Sequence, residues 1–307
     1  MKKLLKAARD VDPGLLLPLE WLAAKVTAGQ TVSDAPLLIL LATPRSGSTF
    51  CYQLMCHSFE VDYFSNLFYM GYRYPFLAKR IERRVGKEYI SNFRSDYGFV
   101  AGLNGVAEAN DIWASWFDQH LSERQPTPSA STIARATSFF DFNFSRSKRP
   151  FVTGWIGHIL YAEQMAKLFP QAIFVNLTRN TQDVALSLLR ARRSQNGDIE
   201  QWFSTRPVEC ATARNLSGYQ QVALQTVSLQ KRASKFVAAH TSRVFDIDYN
   251  KMCENPEAVM SELHQFCNAK GIGLTVRNIT NLPGSDSSAP LVDDDYNLVK
   301  EALEDVS

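Results

Sequence analysis

A seven-residue segment near the start of the chain combines the residue types that bind phosphate groups. Residues 43–49 read Thr-Pro-Arg-Ser-Gly-Ser-Thr, between a continuous apolar run and a segment with helical spacing. Gly47 lets the backbone approach an anion closely, and Arg45 supplies a permanent cation whose planar fork matches phosphate oxygens. Three hydroxyl side chains can donate hydrogen bonds: Ser46, Ser48 and Thr49. Because the first N–H groups of a helix have no intrahelical partner, we predict an anion-binding loop here.

A second arginine stands in a similar context. Residues 174–183 read Phe-Val-Asn-Leu-Thr-Arg-Asn-Thr-Gln-Asp, which places Arg179 at the end of a β-prone run. Ser187 follows eight residues later, within a segment predicted to be the next helix. Both arginines are therefore predicted to lie in strand–turn–helix units, about 130 residues apart.

Together, these two elements resemble those of sulfotransferases that use 3′-phosphoadenosine 5′-phosphosulfate (PAPS). The resemblance implies that residues 45–49 bind the 5′-phosphosulfate and that Arg179 and Ser187 bind the 3′-phosphate. It implies transfer of a sulfuryl group from PAPS to a hydroxyl or amine of an acceptor. The nucleotide would then be a co-substrate held without a metal ion.

The resemblance covers roughly residues 36–270 and favours the bacterial and carbohydrate-type branch. Residues 201–207 and 219–223 look like a region of such enzymes, and residues 248–256 are similar to the family's late strand and helix start. The acceptor is then a glycan or a small molecule, with a lipid head group still open. Two features depart from the family: the chain has no Arg-Lys-Gly lid near its C-terminus, and residues 151–154 carry no lysine where many relatives do.

The general base for the acceptor proton is predicted to be Glu108. It lies in a glycine-flanked segment that enters an aromatic stretch and resembles an acidic motif of related enzymes. A carboxyl beside aromatic residues can have its pKa raised toward the working range. A helix-capping or surface role for Glu108 stays open. His120, His158 and Glu60 are weaker candidates, and His57 is expected to cap a helix.

Two other functions remain alternatives. A divergent P-loop kinase would need a lysine directly after Gly47, where the chain has Ser48, and a metal-binding aspartate where it has Arg179. A non-catalytic relative that binds a nucleotide or glycan would keep the phosphate-binding loop and lack the base. The sequence offers no tight His, Asp and Glu cluster with the spacing of metal ligands, so we expect no metal.

These side chains must be positioned by alternating strands and helices. Apolar or β-prone runs at 36–42, 172–177 and 243–247 predict buried strands, and helical spacing is found at 50–57, 159–168, 181–193 and 256–269. Such alternation predicts an α/β fold with a mostly parallel central sheet between helices. The resemblance implies the P-loop NTPase-like fold of sulfotransferases.

We expect residues 1–307 to form one domain. Residues 1–33 are predicted to be an N-terminal helical extension with two short amphipathic helices, and residues 62–150 a helical insertion on the acceptor side. This insertion contains two basic clusters, which are predicted to be solvated helix faces or loops rather than a surface for an acidic acceptor. Their members are Lys79, Arg80, Arg83, Arg84 and Lys87, and Arg146, Lys148 and Arg149.

Composition limits the remaining possibilities. The chain has 45% hydrophobic and 21% charged residues and a formal net charge of +2, which argues against a general nucleic-acid binder. Its five cysteines form no CxxC pair, as expected of reduced thiols in a cytoplasmic protein. No apolar stretch reaches the ~18 residues of a membrane span.

Overall fold

The structure is a computed structural model that describes residues 18–20, 32–86, 89–211, 213–284 and 295–306, except for the side chain of Arg214. The predicted N-terminal helices fall almost entirely outside these residues, as does Lys87. Residues 18–20 are helical, and the buried Glu20 side chain accepts hydrogen bonds from the N–H groups of Phe76 and Leu77 at 3.2 and 2.9 Å. Glu20 therefore ties its segment to the start of a later helix.

A five-stranded, all-parallel sheet forms the centre of the molecule. Its strands are β1 (Leu37–Ala42), β2 (Asp62–Tyr63), β3 (Phe151–Thr153), β4 (Ile173–Thr178) and β5 (Val244–Asp248). They lie in the order β2-β3-β1-β4-β5, with every pair parallel. All six residues of β1 are buried, because the central strand of such a sheet is covered on both faces. The α/β fold with a parallel sheet is confirmed.

Helices follow or connect the strands. They are α1 (Ser48–Ser58), α2 (Asn66–Met70), α3 (Pro75–Val85), α4 (Asn110–Phe117), α5 (Ala130–Ser147), α6 (His158–Leu168), α7 (Thr181–Asn196), α8 (Gly218–Ala239), α9 (Tyr249–Glu254), α10 (Pro256–Ala269) and α11 (Tyr296–Val306). Two of these helices begin after an asparagine whose side chain caps the first turn. Asn180 caps α7 by accepting a hydrogen bond from the N–H of Asp183 at 3.1 Å, and Asn255 caps α10, with Pro256 in its first turn.

Alternate residues of β1 enter the two cores on opposite faces of the sheet. Leu37, Ile39 and Leu41 pack into an aromatic core with the helices α4, α5 and α6. The other three residues of β1 pack with α1, α9 and α10. The helices therefore cover both faces, as the alternation of elements predicted.

Residues 62–150 begin with the edge strand β2 and continue through α2, α3, α4 and α5. Their aromatic side chains pack closely, with Phe64 in contact with Trp113 at a ring distance of 5.7 Å and with Phe151 of β3 at 4.7 Å. The segment is thus joined to the sheet by both pairing and packing. Its assignment to the acceptor side stays a prediction. Among the described residues, no helix is long and apolar enough to cross a bilayer.

The sheet order creates a natural binding position. From β1 the chain runs to β2 and β3 on one side, then crosses to β4 and β5 on the other. The carboxyl ends of β1 and β4 thus flank the point where the direction of winding reverses. In open parallel sheets, ligands bind in the crevice at this position. Arg45 follows β1 and Arg179 follows β4.

Candidate functional site

The turn after β1 has a backbone that few residue types allow. Gly47 has φ 92°, and a Cβ placed on it would lie only 2.4 Å from Cε2 of Tyr249. Glycine is thus required by both conformation and space. Arg45 is also left-handed, at φ 68°. The buried Ser46 hydroxyl donates to the carbonyl oxygen of Thr43 at 2.7 Å, so it holds the turn together.

The turn presents the amino end of α1 to a cleft. Gly47 is the N-cap, and no described side chain caps this end of the helix. Ser48, Thr49 and Phe50 of the first turn line the cleft. Their N–H groups precede the regular hydrogen bonding of the helix, and the helix dipole adds partial positive charge there. This arrangement suits an anion.

Arg179 enters the same cleft from the end of β4. Its side chain is only 9% exposed, and its Nη1 donates to the carbonyl oxygen of Arg45 at 3.3 Å. The guanidinium carbon lies 4.2 Å from the ring centre of Tyr249. Nε of Arg179 is buried and makes no hydrogen bond within the described residues, although Oδ2 of Asp183 lies 4.0 Å away as an ion-pair partner. A buried donor without a hydrogen bond is costly, so a ligand that accepts from it gains affinity.

The loop after β1 and the helix after β4 are joined by a hydrogen bond at Ser187. Nε of Arg45 donates to Oγ of Ser187 at 3.2 Å, across 142 residues of chain. On its other side, the Arg45 guanidinium lies 4.9 Å from the ring centre of Tyr97. Burial and the neighbouring charge of Arg179 lower the pKa of Arg45, with burial the larger cause, although an arginine stays charged at neutral pH.

The cleft has a volume of about 690 Å³. Its lining consists of Arg45, Gly47, Ser48, Thr49, Phe50, Ser95, Asp96, Tyr97, Gly98, Arg179, Ser187, Arg190, Ala191 and Tyr249. Every predicted phosphate-binding residue except Ser46 is in this lining. Two arginines from strand ends and a helix amino end therefore face one space of nucleotide size.

Comparison with known proteins identifies the chain. Its sequence matches the model of the sulfotransferase family over residues 36–270. This chain belongs to the sulfotransferase family. The match covers more than half of the chain and the same stretch that the motifs indicated. No match was found among curated protein sequences.

Solved structures of other sulfotransferases are similar at low identity. STF1 of Mycobacterium tuberculosis H37Rv is 13% identical with a TM-score of 0.48, covering 94% of this chain and 79% of that one. STF9 of Mycobacterium avium is 16% identical with a TM-score of 0.47, covering 77% of this chain and 64% of that one. A sulfotransferase of Alicyclobacillus acidocaldarius is 12% identical with a TM-score of 0.41, covering 88% and 94%. The chain spans just under two thirds of STF9, and the family assignment rests on the sequence match.

In this sulfotransferase, Glu108 lies against Gly98, in the segment 95–98 that lines the cleft. Its Oε1 is 2.9 Å from the position that a Cβ on Gly98 would take. The residue as a whole is half-buried, and burial of its carboxyl group raises the pKa to about 8. Nε1 of Trp113 donates to the Glu108 carbonyl oxygen at 3.1 Å, which fixes the backbone. Glu108 thus adjoins the cleft without being among its lining residues.

The weaker base candidates lie elsewhere. His158 is fully buried against Trp113, and burial lowers its pKa to about 3. His120 contacts Asp118 at 3.1 Å, and Glu60 pairs with Arg149 at 3.4 Å on the surface. None of these candidates lines the cleft, and His57 lies at the end of α1.

Sequence reasoning missed Tyr97, Arg190 and Tyr249 in the site of this sulfotransferase. Arg190 lies one helical turn after Ser187 on α7, a spacing that could have indicated it. Tyr249 directly follows β5, at the same edge of the sheet as Arg45 and Arg179. Tyr97 lies in a two-residue turn closed by Asp96 and Phe99, with φ 45° at Tyr97 and 86° at Gly98, and Gly98 was the one signal for it in the sequence. Within the described part of the chain, no three His, Cys, Asp or Glu side chains are grouped as metal ligands.

Proposed function

We propose that this sulfotransferase transfers the sulfuryl group of PAPS to a hydroxyl or amine of an acceptor. The observation that carries the proposal is the convergence of Arg45, Arg179 and the amino end of α1 on one cleft. Two arginines that follow different strands suit a nucleotide that carries phosphate groups at both its 5′ and 3′ ends. The family membership of the chain supports the same reaction.

The residues present fit such a nucleotide. The buried Nε of Arg179 is ion-paired with Asp183 at 4.0 Å but makes no hydrogen bond among the described residues, and the end of α1 has no side-chain cap. Both can therefore donate hydrogen bonds to a ligand. We assign Arg179 and Ser187 to the 3′-phosphate, and Arg45 with Gly47, Ser48 and Thr49 to the 5′ end. Ser46 serves the loop through its backbone geometry, since its hydroxyl is bonded to Thr43.

PAPS supplies an activated sulfuryl group whose transfer leaves negative charge on the 5′-phosphate. Arg45 and the first N–H groups of α1 stabilise that charge because they are oriented before the reaction begins. The cleft fixes the nucleotide at both ends, which aligns the reacting group with the acceptor. These tasks require no metal ion.

Glu108 is our proposed general base. Its raised pKa, about 8, makes it a better proton acceptor than an ordinary carboxylate once it is ionised. The acceptor would approach along the turn of residues 95–98, behind which the carboxyl group lies. A proton taken by Glu108 would leave the acceptor oxygen or nitrogen as it attacks sulfur.

We propose a glycan or a small metabolite as the acceptor, on the resemblance of residues 201–207 and 219–223 to the carbohydrate-type branch. The cytoplasmic location also stays a prediction. All five cysteines are buried and free, as expected of reduced thiols.

The decisive experiment has two parts. Calorimetry should show that adenosine 3′,5′-bisphosphate binds at least tenfold more tightly than adenosine 5′-monophosphate, because only the former pairs with Arg179. Equal affinities would overturn the assignment of the 3′ site. A screen of glycans, phenols and lipids with labelled PAPS then tests turnover. Selective binding without transfer to any acceptor would instead support the non-catalytic relative.

A further inference from the structure

Two basic clusters that are 60 residues apart in the sequence adjoin in the structure. Nη2 of Arg83 on α3 donates to both oxygens of Asn143 on α5, at 3.2 Å to the carbonyl and 3.1 Å to the side chain. Asp62 bridges the same two helices, since it pairs with Lys79 at 3.6 Å and accepts from the Ser147 hydroxyl at 2.7 Å. The carboxyl-terminal ends of α3 and α5 thus form one surface.

Only part of this positive charge is neutralised within the protein. Lys79 is buried and pairs with Asp62 and Glu82, the latter at 2.7 Å. Arg80 and Arg84 are exposed and make no ion pair within the described residues. At the end of α5, the exposed basic residues are Arg146, Lys148 and Arg149. Of these three, only Arg149 has a carboxylate partner among the described residues, the exposed Glu60 at 3.4 Å.

Apolar side chains stand beside these charges. Ile81 is 46% exposed and Val85 is 63% exposed, one turn apart on the outer side of α3 and next to Arg80 and Arg84. Ile90, shortly after the helix, is 80% exposed. Large aliphatic side chains that are exposed together and flanked by charged residues are typical of an interaction surface.

We propose that this surface, formed by the outer side of α3 and the end of α5, binds an anionic lipid membrane. The basic side chains complement acidic head groups, while Ile81 and Val85 enter the boundary between head groups and acyl chains. A nucleic acid or an anionic glycan would contact the basic side chains and leave Ile81 and Val85 exposed to water. These two side chains therefore favour a lipid bilayer as the binding partner.

The experiment uses the full chain and phosphatidylcholine vesicles with or without phosphatidylserine. We expect sedimentation with the phosphatidylserine vesicles only, weakened by added salt. The double variant Arg80→Gln/Arg84→Gln should lower partitioning by roughly tenfold or more. Ile81→Ser/Val85→Ser keeps the net charge and should also lower it, by about tenfold.

Matched controls remove the same charge or apolar surface elsewhere. Lys167→Gln/Lys235→Gln neutralises two exposed lysines on α6 and α8, and Leu298→Ser removes an exposed leucine on α11. Both should bind vesicles as the unaltered chain does, with unchanged unfolding temperatures throughout. The proposal is overturned if the unaltered chain ignores anionic vesicles or if the lysine control weakens binding equally. Full binding by Ile81→Ser/Val85→Ser, with competition by heparin, would identify a polyanion site instead.

Discussion

The two walls of the cleft are built in different ways. On one wall, which we call the sheet wall, Arg45 lies three residues after the end of β1 and Arg179 directly follows β4. These two strands pair residue by residue up to Ala42 and Leu177. On the other, residues 95–98 belong to no strand of the sheet, and their turn is closed by two hydrogen bonds between Asp96 and Phe99, at 2.9 and 3.0 Å. The sheet wall is fixed by strand pairing. The other wall, which we call the turn wall, depends on local turn geometry at Tyr97 and Gly98.

This difference separates two tasks. The sheet wall carries the permanent cations and therefore suits the nucleotide, whose phosphates are the same for every acceptor. The turn wall adjoins Glu108 and suits the acceptor, because a loop can change without disturbing the sheet. Substitutions on the sheet wall should alter nucleotide binding, and substitution of Glu108 beside the turn wall should alter turnover. Tyr97 contacts Arg45 from the turn wall, so its substitution should affect nucleotide binding slightly.

The largest effect is expected at Glu108. Glu108→Gln should lower kcat by ~10²–10⁴ with nearly unchanged affinity for adenosine 3′,5′-bisphosphate, because the amide cannot take the acceptor proton. Steady-state kinetics and calorimetry measure the two quantities. Glu60→Gln, at an exposed glutamate, is the control and should behave as the unaltered enzyme. Near-normal turnover by Glu108→Gln would remove Glu108 as the base.

The raised pKa of Glu108 adds a second test. As a base, it must be ionised, so kcat should rise with pH and level off above about 8. The pKa of Glu108 is higher in the folded chain than in the unfolded chain. The contribution of its neutral carboxyl group to the free energy of unfolding is therefore full below about pH 4.5 and is lost as the pH rises toward 8. Glu108→Gln should therefore unfold at a higher temperature than the unaltered chain at pH near 8. A lower unfolding temperature at both acidic and neutral pH would indicate a structural role for Glu108.

At Arg179 we expect a loss of nucleotide discrimination. Arg179→Ala removes charge-assisted hydrogen bonds worth about 1.5–3 kcal/mol each, so affinity for adenosine 3′,5′-bisphosphate should fall by ~10–100-fold. Affinity for adenosine 5′-monophosphate should stay nearly constant in the same calorimetric titrations. Arg179→Lys keeps the charge but lacks the planar fork. Its affinity for adenosine 3′,5′-bisphosphate should therefore lie between those of the unaltered chain and Arg179→Ala. An equal loss for both nucleotides would contradict the 3′ assignment.

Arg45 should show a smaller effect on binding. It is half-buried, so water screens its charge more than that of Arg179. Arg45→Ala should weaken nucleotide binding or slow transfer by about tenfold or more, with adenosine 5′-monophosphate affected as well. Unchanged affinity together with an unchanged rate would show that the 5′ end lies elsewhere.

The smallest effect is expected at Tyr97. Tyr97→Leu removes a cation–π contact with Arg45 worth about 0.5–1 kcal/mol, so KM for PAPS should rise about two- to fivefold. Tyr97→Phe keeps the aromatic face and should leave KM unchanged. A large fall in kcat for Tyr97→Phe would instead give the phenol hydroxyl a chemical role in the transfer.

The sheet wall was largely predictable because its signals are local. The apolar run of β1 and the cap at Asn180 mark strand and helix ends, and the observed boundaries lie within a few residues of those predicted. The carboxyl ends of parallel strands share one edge, so the proximity of Arg45 and Arg179 follows from the fold class.

The turn wall could not be predicted in the same way. Tyr97 reaches Arg45 through a left-handed backbone at φ 45°, which its own residue type does not favour. The short strands β2 and β3 also escaped notice, because two or three residues give no period. The 22-residue helix α8 was missed although Ser217 and Gln220 form a capping box at its start, because its buried face includes polar residues such as Gln225 and Thr226.

The hydrogen bond between Arg45 and Ser187 has a consequence for how ligand length is recognised. It joins the residue that we assign to the 5′ end with one that we assign to the 3′-phosphate. Under that assignment, a nucleotide with both phosphates would break this bond and contact each partner, whereas a shorter anion would contact only one of them. Binding would then depend on the distance between the two phosphate groups.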